Sequence, residues 1–389
     1  MRILHITPAY YPATYWGGPI FSVYHMNNAL AGLSGIELKV LTTDAAGPKV
    51  SNRLSREEKR ESFAYEVIFA RRIAGYCVSP ELLKQLPKWI RWADVVHLTA
   101  LYSFPTIPVL NQCRMYRRPL VWSLRGALLD DQNCHLYAPP SLLKRSLKMA
   151  WNRVCRWSVS PERTVLHVTT EQEREASEKM YPGARFAVVP NGVWIPRALP
   201  KGREWMPNGQ VRLMFLGRLA PKKGIENLLH AMAKLGPEVH LKLYGTGNKD
   251  YERKLKALGQ ELRLGDRAVF KGHVDGEAKT QAFSQADVCV VPSYSENFCI
   301  VVAEALAHGV PVIVSDRLAW EKVAEIGCGL VVPNDPDSLA DAVRYLGKMD
   351  LIEMGRQGRA WMLRAFDWVV IAERMAKTYQ GIVEADYES

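Results

Sequence analysis

Short apolar runs alternate with segments of helical apolar spacing along nearly the whole of this 389-residue chain, and few folds accept that alternation. Runs at 2–7, 37–41, 67–70, 95–98, 120–124, 165–168 and 186–189 are rich in Val, Ile and Leu and too short for helices. They read as buried parallel strands, since strands covered by helices on both faces lose the in-and-out alternation of half-exposed ones. A second series occupies 211–216, 239–244, 268–271, 288–291, 310–314 and 329–332, and helical patterns follow at 336–348, 351–364 and 367–383. Between the two series, residues 190–210 hold Pro190, Pro196, Pro200 and Pro207 with Gly192, Gly202 and Gly209, the composition of a linker. The pattern predicts an α/β protein of two doubly wound, mostly parallel sheets, one in each half. The length agrees, because single cores seldom grow to this size.

Composition narrows the class. Apolar residues make up 48% of the chain, enough for a core in each half. No apolar run reaches the roughly 18 residues of a helical membrane span. The opening MRILHIT enters a strand without the apolar block and cleavage site of a signal peptide, so a cytoplasmic location is expected. Cysteines at 77, 113, 134, 155, 289, 299 and 328 form no CxxC pair and read as reduced residues, not as a metal site or disulfide frame. Residues 1–200 hold 26 Lys and Arg against 15 Asp and Glu, leaving 25 against 25 for the remainder of the 51 and 40. A strongly basic half beside a neutral one suggests an anionic surface or acceptor for the first.

The densest chemistry lies in SYSENFCIVVAEALAHGVPV. There a strand at 288–291, a turn at 292–297 and helical spacing at 298–308 precede Gly309 and Pro311. A helix opening at the carboxyl end of a strand offers amide donors and a positive dipole end to a phosphate, which marks Asn297, Phe298, Cys299 and Ile300 as donor-binding candidates. Glu296 lies just before that helix, and Glu304 nearly two turns up it at about 1.5 Å per residue. Ionised carboxylates only accept hydrogen bonds, so they suit sugar hydroxyls and not phosphate oxygens. A helix cap or a solvated residue is the plainer reading, but Glu304 has apolar neighbours nearly all round and needs a partner. Arg218 and Lys223 follow the strand at 211–216, whose end faces the same crevice, and could neutralise a departing diphosphate; otherwise they are a solvated turn, as Lys222 is read. Gly245 and Gly247 let a nucleotide approach the backbone, without completing a dinucleotide fingerprint. Gly17 and Gly18, after the first strand, leave room for a phosphate or acceptor beside backbone amides, or else form a tight turn. His97 sits inside a strand, where histidines are more often core residues than catalysts. The Asp335-Pro336-Asp337 triplet begins a helix and reads as a cap, so no metal site is expected.

The stretch holding Glu296 and Glu304 resembles the Glu-(seven residues)-Glu motif of the retaining glycosyltransferases of family 4, which have the GT-B fold. VPNGV from Val189 looks like that family's crossover between domains, FLGRLAPKKGIENLL from Phe215 like its diphosphate clamp, and YGTG from Tyr244 like its strand-end glycine turn. The match extends over essentially the whole chain. It implies two Rossmann-like domains facing a central cleft: residues 1–195 binding the acceptor, 196–370 binding a nucleotide-sugar, and 371–389 a helix returning to the first domain. By the same resemblance Glu304 holds the ribose and Glu296 the transferred sugar, Arg218 and Lys223 clamp the diphosphate, and Gly17 and Gly18 touch donor phosphate or acceptor. His97 falls in the family's Val-Val-His strand. In SLRGALLDD, Arg125 stands where many relatives carry a histidine near the sugar; a subset shows Arg-Gly, so Arg125 either replaces that histidine or the contact is lost. Asp130, with Asp131, could read acceptor hydroxyls or merely start a helix.

The implied activity is metal-independent transfer of a hexose to a hydroxyl of a saccharide or lipid-linked acceptor with retention, by front-face attack. No cofactor is implied beyond the nucleotide-sugar substrate, and no nucleic-acid partner. Bacterial surface polysaccharide, lipopolysaccharide or glycolipid synthesis is the expected setting, while base and hexose stay open. The alternatives are a non-transferring relative such as a nucleotide-sugar 2-epimerase, whose carboxylates and histidines are not matched, or a nucleotide-sugar-binding regulator, whose clamp would be damaged.

Residues 141–157, SLLKRSLKMAWNRVCRW, put Leu143, Leu147, Trp151 and Val154 along one helical stripe with Lys144, Arg145, Lys148, Arg153 and Arg156 around it. Packing of that stripe on the protein's own sheet is the plainer expectation. The basic rim can still face lipid phosphates, which predicts peripheral contact with an anionic membrane on its inner face.

Overall fold

Each apolar run predicted from the sequence is a strand, and the strands form two wholly parallel sheets. The computed structural model describes residues 1–129, 135, 141–199 and 203–387; Asp130 and Asp131 lie outside the described residues. The chain divides into two compact units, with the crossings at Gly192/Val193 and Asp367/Trp368.

In the first unit, β1 (Arg2–Ile6), β2 (Glu37–Thr43), β3 (Glu66–Ala70), β4 (Val95–Thr99), β5 (Leu120–Ser123), β6 (Thr164–Val168) and β7 (Arg185–Val188) align in the order β3-β2-β1-β4-β5-β6-β7. β4 and β5 are buried at every position, as expected of strands covered on both faces. The last helix, Trp368–Tyr387, belongs to this unit and buries Ile371, Met375, Tyr379 and Ile382 beside Ile3, Met26, Leu30 and Val121. Gly192 is required here: a Cβ on it would lie 2.4 Å from the Trp368 ring.

In the second unit, β8 (Val211–Leu216), β9 (Val239–Tyr244), β10 (Ala268–Gly272), β11 (Val288–Val291), β12 (Val312–Ser315) and β13 (Gly329–Val332) run in the order β10-β9-β8-β11-β12-β13. The order reverses between β1 and β4 in one sheet and between β8 and β11 in the other. In open parallel sheets that reversal opens a crevice outside the carboxyl ends of the two strands, because their crossover helices leave on opposite faces.

One packing expectation is overturned. The Leu142–Ser158 helix buries Asn152, Cys155 and Ser158 and leaves Leu143 69% and Leu147 63% exposed, with Leu142, Val154 and Trp157 also outside. Only Trp151 of the apolar stripe turns inward, donating from its indole N–H to the Leu101 carbonyl at 2.7 Å, and Asn152 Nδ2 donates to the Tyr102 hydroxyl at 3.0 Å. The surface under the helix offers polar partners, so the polar face goes down and the apolar face is left outside. No helix long and apolar enough to cross a membrane occurs among the described residues.

Candidate functional site

The reversal point of the second sheet gathers the charged residues singled out in the sequence. β8 and β11 are neighbours, and their carboxyl ends deliver the segments 217–224 and 292–299 side by side. The 3₁₀ turn Pro221–Lys223 bends the first segment, and Gly224 at φ +61° starts the Ile225–Ala233 helix. A Cβ on Gly224 would lie 2.1 Å from the Pro292 carbonyl oxygen, so only glycine lets the two segments touch. The Tyr294 N–H donates to the Lys222 carbonyl at 2.8 Å and locks the contact.

That contact sets Lys223 against Glu296. The ammonium and carboxylate form an ion pair with side chains only 13% and 12% exposed. Burial opposes both charges, but the mutual attraction outweighs it: Glu296 is held below the ordinary carboxylate range and Lys223 above the ordinary lysine value. Glu304, on the Ile300–Ala307 helix, accepts from Lys279 Nζ at 2.6 Å, and Lys279 comes from the Gly276–Ser284 helix. Lys279 escaped the sequence reading; the only signal for it was the need of Glu304 for a partner. Arg218 is exposed and makes no ion pair among the described residues, so its fork is free for an anion.

The helix opens two residues later than expected, because Cys299 takes a left-handed conformation at φ +58° and becomes its cap. No side chain caps this start. Phe298 is buried and its carbonyl accepts the Trp320 indole N–H at 2.7 Å, while burial raises the Cys299 thiol pKa. Asn297 Oδ1 is buried with no partner among the described residues, an acceptor awaiting a donor. The close approach that makes Gly245 and Gly247 glycines is to protein: a Cβ on either would lie 1.9 Å from the carbonyl oxygen of Gly217 or of Leu219. Asp335 is a helix cap, accepting from the N–H groups of Asp337 and Ser338 at 3.0 and 2.9 Å.

At the reversal point of the first sheet, Gly17 at φ +68° caps the Gly18–Ala31 helix. A Cβ on Gly18 meets nothing within 4 Å, so space stands open beside that helix start. Arg125 follows β5, is itself left-handed at φ +54°, and donates from Nη1 to Asn191 Oδ1 at 2.9 Å and to Ser22 Oγ at 3.3 Å. Its Nε and Nη2 are buried without a partner among the described residues. Burial lowers this guanidinium to about 10, against the pull of Glu173 and Tyr379, and it stays charged. Two idle donors on a buried cation are a ready anion or hydroxyl contact. Non-glycine residues held left-handed are strained, and such strain concentrates at ligand sites; Arg125 and Cys299 are such a pair that no sequence pattern announced.

His97 is corrected to a core residue. It is fully buried, with Nδ1 hydrogen-bonded to the Tyr379 hydroxyl and Nε2 to Ser123 Oγ, both at 2.6 Å. Ser123 Oγ also bonds His167 Nδ1 at 2.5 Å, and the His97 ring stacks on His5 at 4.3 Å. Both ring nitrogens are occupied, which leaves none for a sugar.

Residues 16–195 match the family described as Glycosyltransferase Family 4, and residues 203–359 the family described as Glycosyl transferases group 1. Phosphatidyl-myo-inositol mannosyltransferase of Mycobacterium tuberculosis (strain CDC 1551 / Oshkosh) is 32% identical over 213 residues, 51% of this chain and 55% of that one. The chain thus spans about half the length of this curated relative. Glycogen synthase of the same strain is 27% identical over 412 residues, covering 97% of this chain and 94% of its own. Among solved structures, Anabaena Alr3699/HepE in complex with UDP-glucose matches with a TM-score of 0.74 at 18% identity, covering 98% of this chain and 100% of that one. That likeness is one of fold.

Proposed function

Since the chain belongs to the group 1 glycosyltransferases of family 4, we propose that it moves a hexose from a nucleotide-sugar to a hydroxyl of a saccharide or lipid-linked acceptor, with retention of configuration and without a metal. The observation that carries this reading is the meeting of Arg218, the Lys223–Glu296 pair and the Lys279–Glu304 pair at the reversal point of the second sheet. Two cations suited to a diphosphate stand beside two carboxylates suited to hydroxyls.

In this reading the diphosphate draws Lys223 away from Glu296, and the freed carboxylate accepts from the hydroxyls of the hexose. Glu304, steadied by Lys279, accepts from the ribose. The acceptor oxygen attacks the anomeric carbon on the face from which the diphosphate leaves. The electron pair of the breaking carbon–oxygen bond passes to the diphosphate, whose oxygen takes the acceptor proton, so no separate base is needed. Arg218 and Lys223 neutralise the charge that develops, where preorganised cations act most strongly. Asn297 offers its idle oxygen to the donor, while within the first unit Arg125 and the open space at Gly17 and Gly18 are suited to an anion or hydroxyl.

UDP-glucose, present in the structurally similar Anabaena protein, is the first donor to try, and a glycolipid acceptor is suggested by the mannosyltransferase relative. The exposed apolar and basic face of the Leu142–Ser158 helix supports peripheral attachment to an anionic membrane, and surface polysaccharide or glycolipid synthesis suits such a place. The test is nucleotide release from UDP-, GDP- and ADP-hexoses with and without phospholipid and saccharide acceptors. Release quickened by an acceptor, with the donor's anomeric configuration in the fresh product by proton NMR, is expected. Acceptor-independent turnover, or an inverted product, would overturn the reading.

A further inference from the structure

We propose that the first unit carries a separate site for a phosphate or diphosphate group, in a cavity at the carboxyl ends of β2 and β3, and that this group belongs to the acceptor. The second clause rests on the transfer reading; the anion site itself does not.

The cavity measures about 620 Å³, within the range of roughly 300 to 1,000 Å³ usual for small-molecule pockets. Its walls include Asp44 directly after β2, Arg53, Arg56 and Lys59 from the following segment, Arg71 directly after β3, and Glu81 from the first turn of the Pro80–Trp92 helix. Both carboxylates are already engaged. Asp44 accepts from Lys59 Nζ at 2.9 Å and from the Arg72 N–H at 2.8 Å, and Glu81 accepts from the Arg71 N–H at 2.7 Å. The guanidinium groups of Arg53, Arg56 and Arg71 make no ion pair among the described residues. Three unpaired forks around one cavity match the oxygens of a phosphate, which accepts two parallel N–H donors from each.

The wall is built, not loosely hung. Arg72 is wholly buried and spends its guanidinium on the backbone opposite, donating to the carbonyls of Gly47 at 2.8 Å and Asn52 at 2.7 Å and also to that of Lys49. Ala45 and Arg53 pair as an antiparallel bridge, closed by Leu54 N–H to the Asp44 carbonyl at 2.9 Å. Nη1 and Nη2 of this buried cation donate only to carbonyls, while its Nε has no partner among the described residues; the three bonds pin residues 47–52, so the backbone of Arg53 is set before any ligand arrives. Such preorganisation removes part of the ordering cost of binding. The site also gives the excess positive charge of the first 200 residues a use: a discrete pocket suits a compact dianion better than an extended polymer.

The experiment titrates inorganic pyrophosphate into the full chain saturated with UDP, so that the donor's diphosphate position is filled. One pyrophosphate site is expected, weakened at least about tenfold in the Arg53→Ala/Arg71→Ala variant, with UDP affinity and unfolding midpoint unchanged because both side chains are exposed. No pyrophosphate binding beside UDP, or equal affinity in the variant, overturns the site. If the chain binds none of UDP, GDP and ADP, the transfer reading fails while the pyrophosphate result still decides the anion site. Competition by a soluble hexose phosphate identifies a free phosphorylated acceptor, and competition only by a prenyl phosphate in phosphatidylcholine vesicles identifies a lipid-linked one. Competition by neither overturns the assignment to the acceptor.

Discussion

Lys223 and Glu296, separated by 73 residues, neutralise each other in a shared and largely buried ion pair. The cation suited to a diphosphate and the carboxylate suited to a sugar are therefore each other's partner, and in the proposed mechanism a donor replaces that contact with two of its own.

Breaking the pair from one side leaves a buried charge alone. Glu296→Ala is expected to lower turnover by about 2 to 4 kcal/mol, and Lys223→Ala by a similar amount, while the double variant loses less than their sum. Kinetics of the two single variants and the double variant decide this; strictly additive losses would show that the two residues act apart.

Glu304 and Lys279 form a more exposed pair. Glu304→Ala should weaken nucleotide binding by about 2 to 3 kcal/mol, and Lys279→Ala by no more than about 1 kcal/mol, because the lysine only steadies the carboxylate. UDP titration of both variants checks the order. A larger loss at Lys279 would make it a direct ligand.

In the proposed mechanism Arg218 and Lys223 supply the positive charge that a metal supplies elsewhere. Activity should persist in EDTA, whereas Arg218→Ala lowers it by about 2 kcal/mol or more in the rate. Loss in EDTA restored by magnesium or manganese would refute the metal-free mechanism.

His5, His97 and His167 are buried and neutral, with pKa values pushed by burial to about 3 for His5 and His167 and well below the ordinary value for His97. Their folded values lie below the unfolded value of about 6.5, so the unfolded chain binds more protons as pH falls. Stability is complete above that value and is lost between pH 6.5 and 3, with a slope of up to about 4 kcal/mol per pH unit if all three contribute. Urea unfolding at pH 7.5, 6 and 5 checks this, and an unchanged midpoint would show that the histidines titrate equally in both states.

The Leu142–Ser158 helix should bring the protein to anionic vesicles in a salt-sensitive way. Leu143→Asp/Leu147→Asp should cost about 3 kcal/mol of that binding, or more, and nothing in thermal stability, since both leucines face outward. Sedimentation with anionic and neutral vesicles at low and high salt measures it. Equal binding to both, or a fall in stability, would return the stripe to the core.

The sequence by itself determined the strands, the parallel sheets and the approximate end of each element, because apolar periodicity, glycine and proline act over a few residues. The candidates Glu296, Glu304, Arg218 and Lys223 were legible for the same reason: Arg218, Lys223 and Glu296 lie in the segments that follow strand ends, and Glu304 on the helix that opens there, all positions set locally. Tertiary structure alone decided their partners. Lys223 meets Glu296 because β8 and β11 are neighbours and Gly224 lets their ends touch, and Lys279 meets Glu304 across two helices that no local rule aligns. Likewise, the periodicity of residues 141–157 revealed an apolar stripe without revealing which face the unit would take. Asn152 found the Tyr102 hydroxyl, Trp151 the Leu101 carbonyl, and the leucines were left outside. His97 lost its suggested role to Tyr379, a residue 282 positions away that reaches it only because the last helix packs on the first sheet. Spacing along the chain fixes which face a side chain shares with its neighbours; what stands opposite that face depends on the order of strands and on where the chain returns.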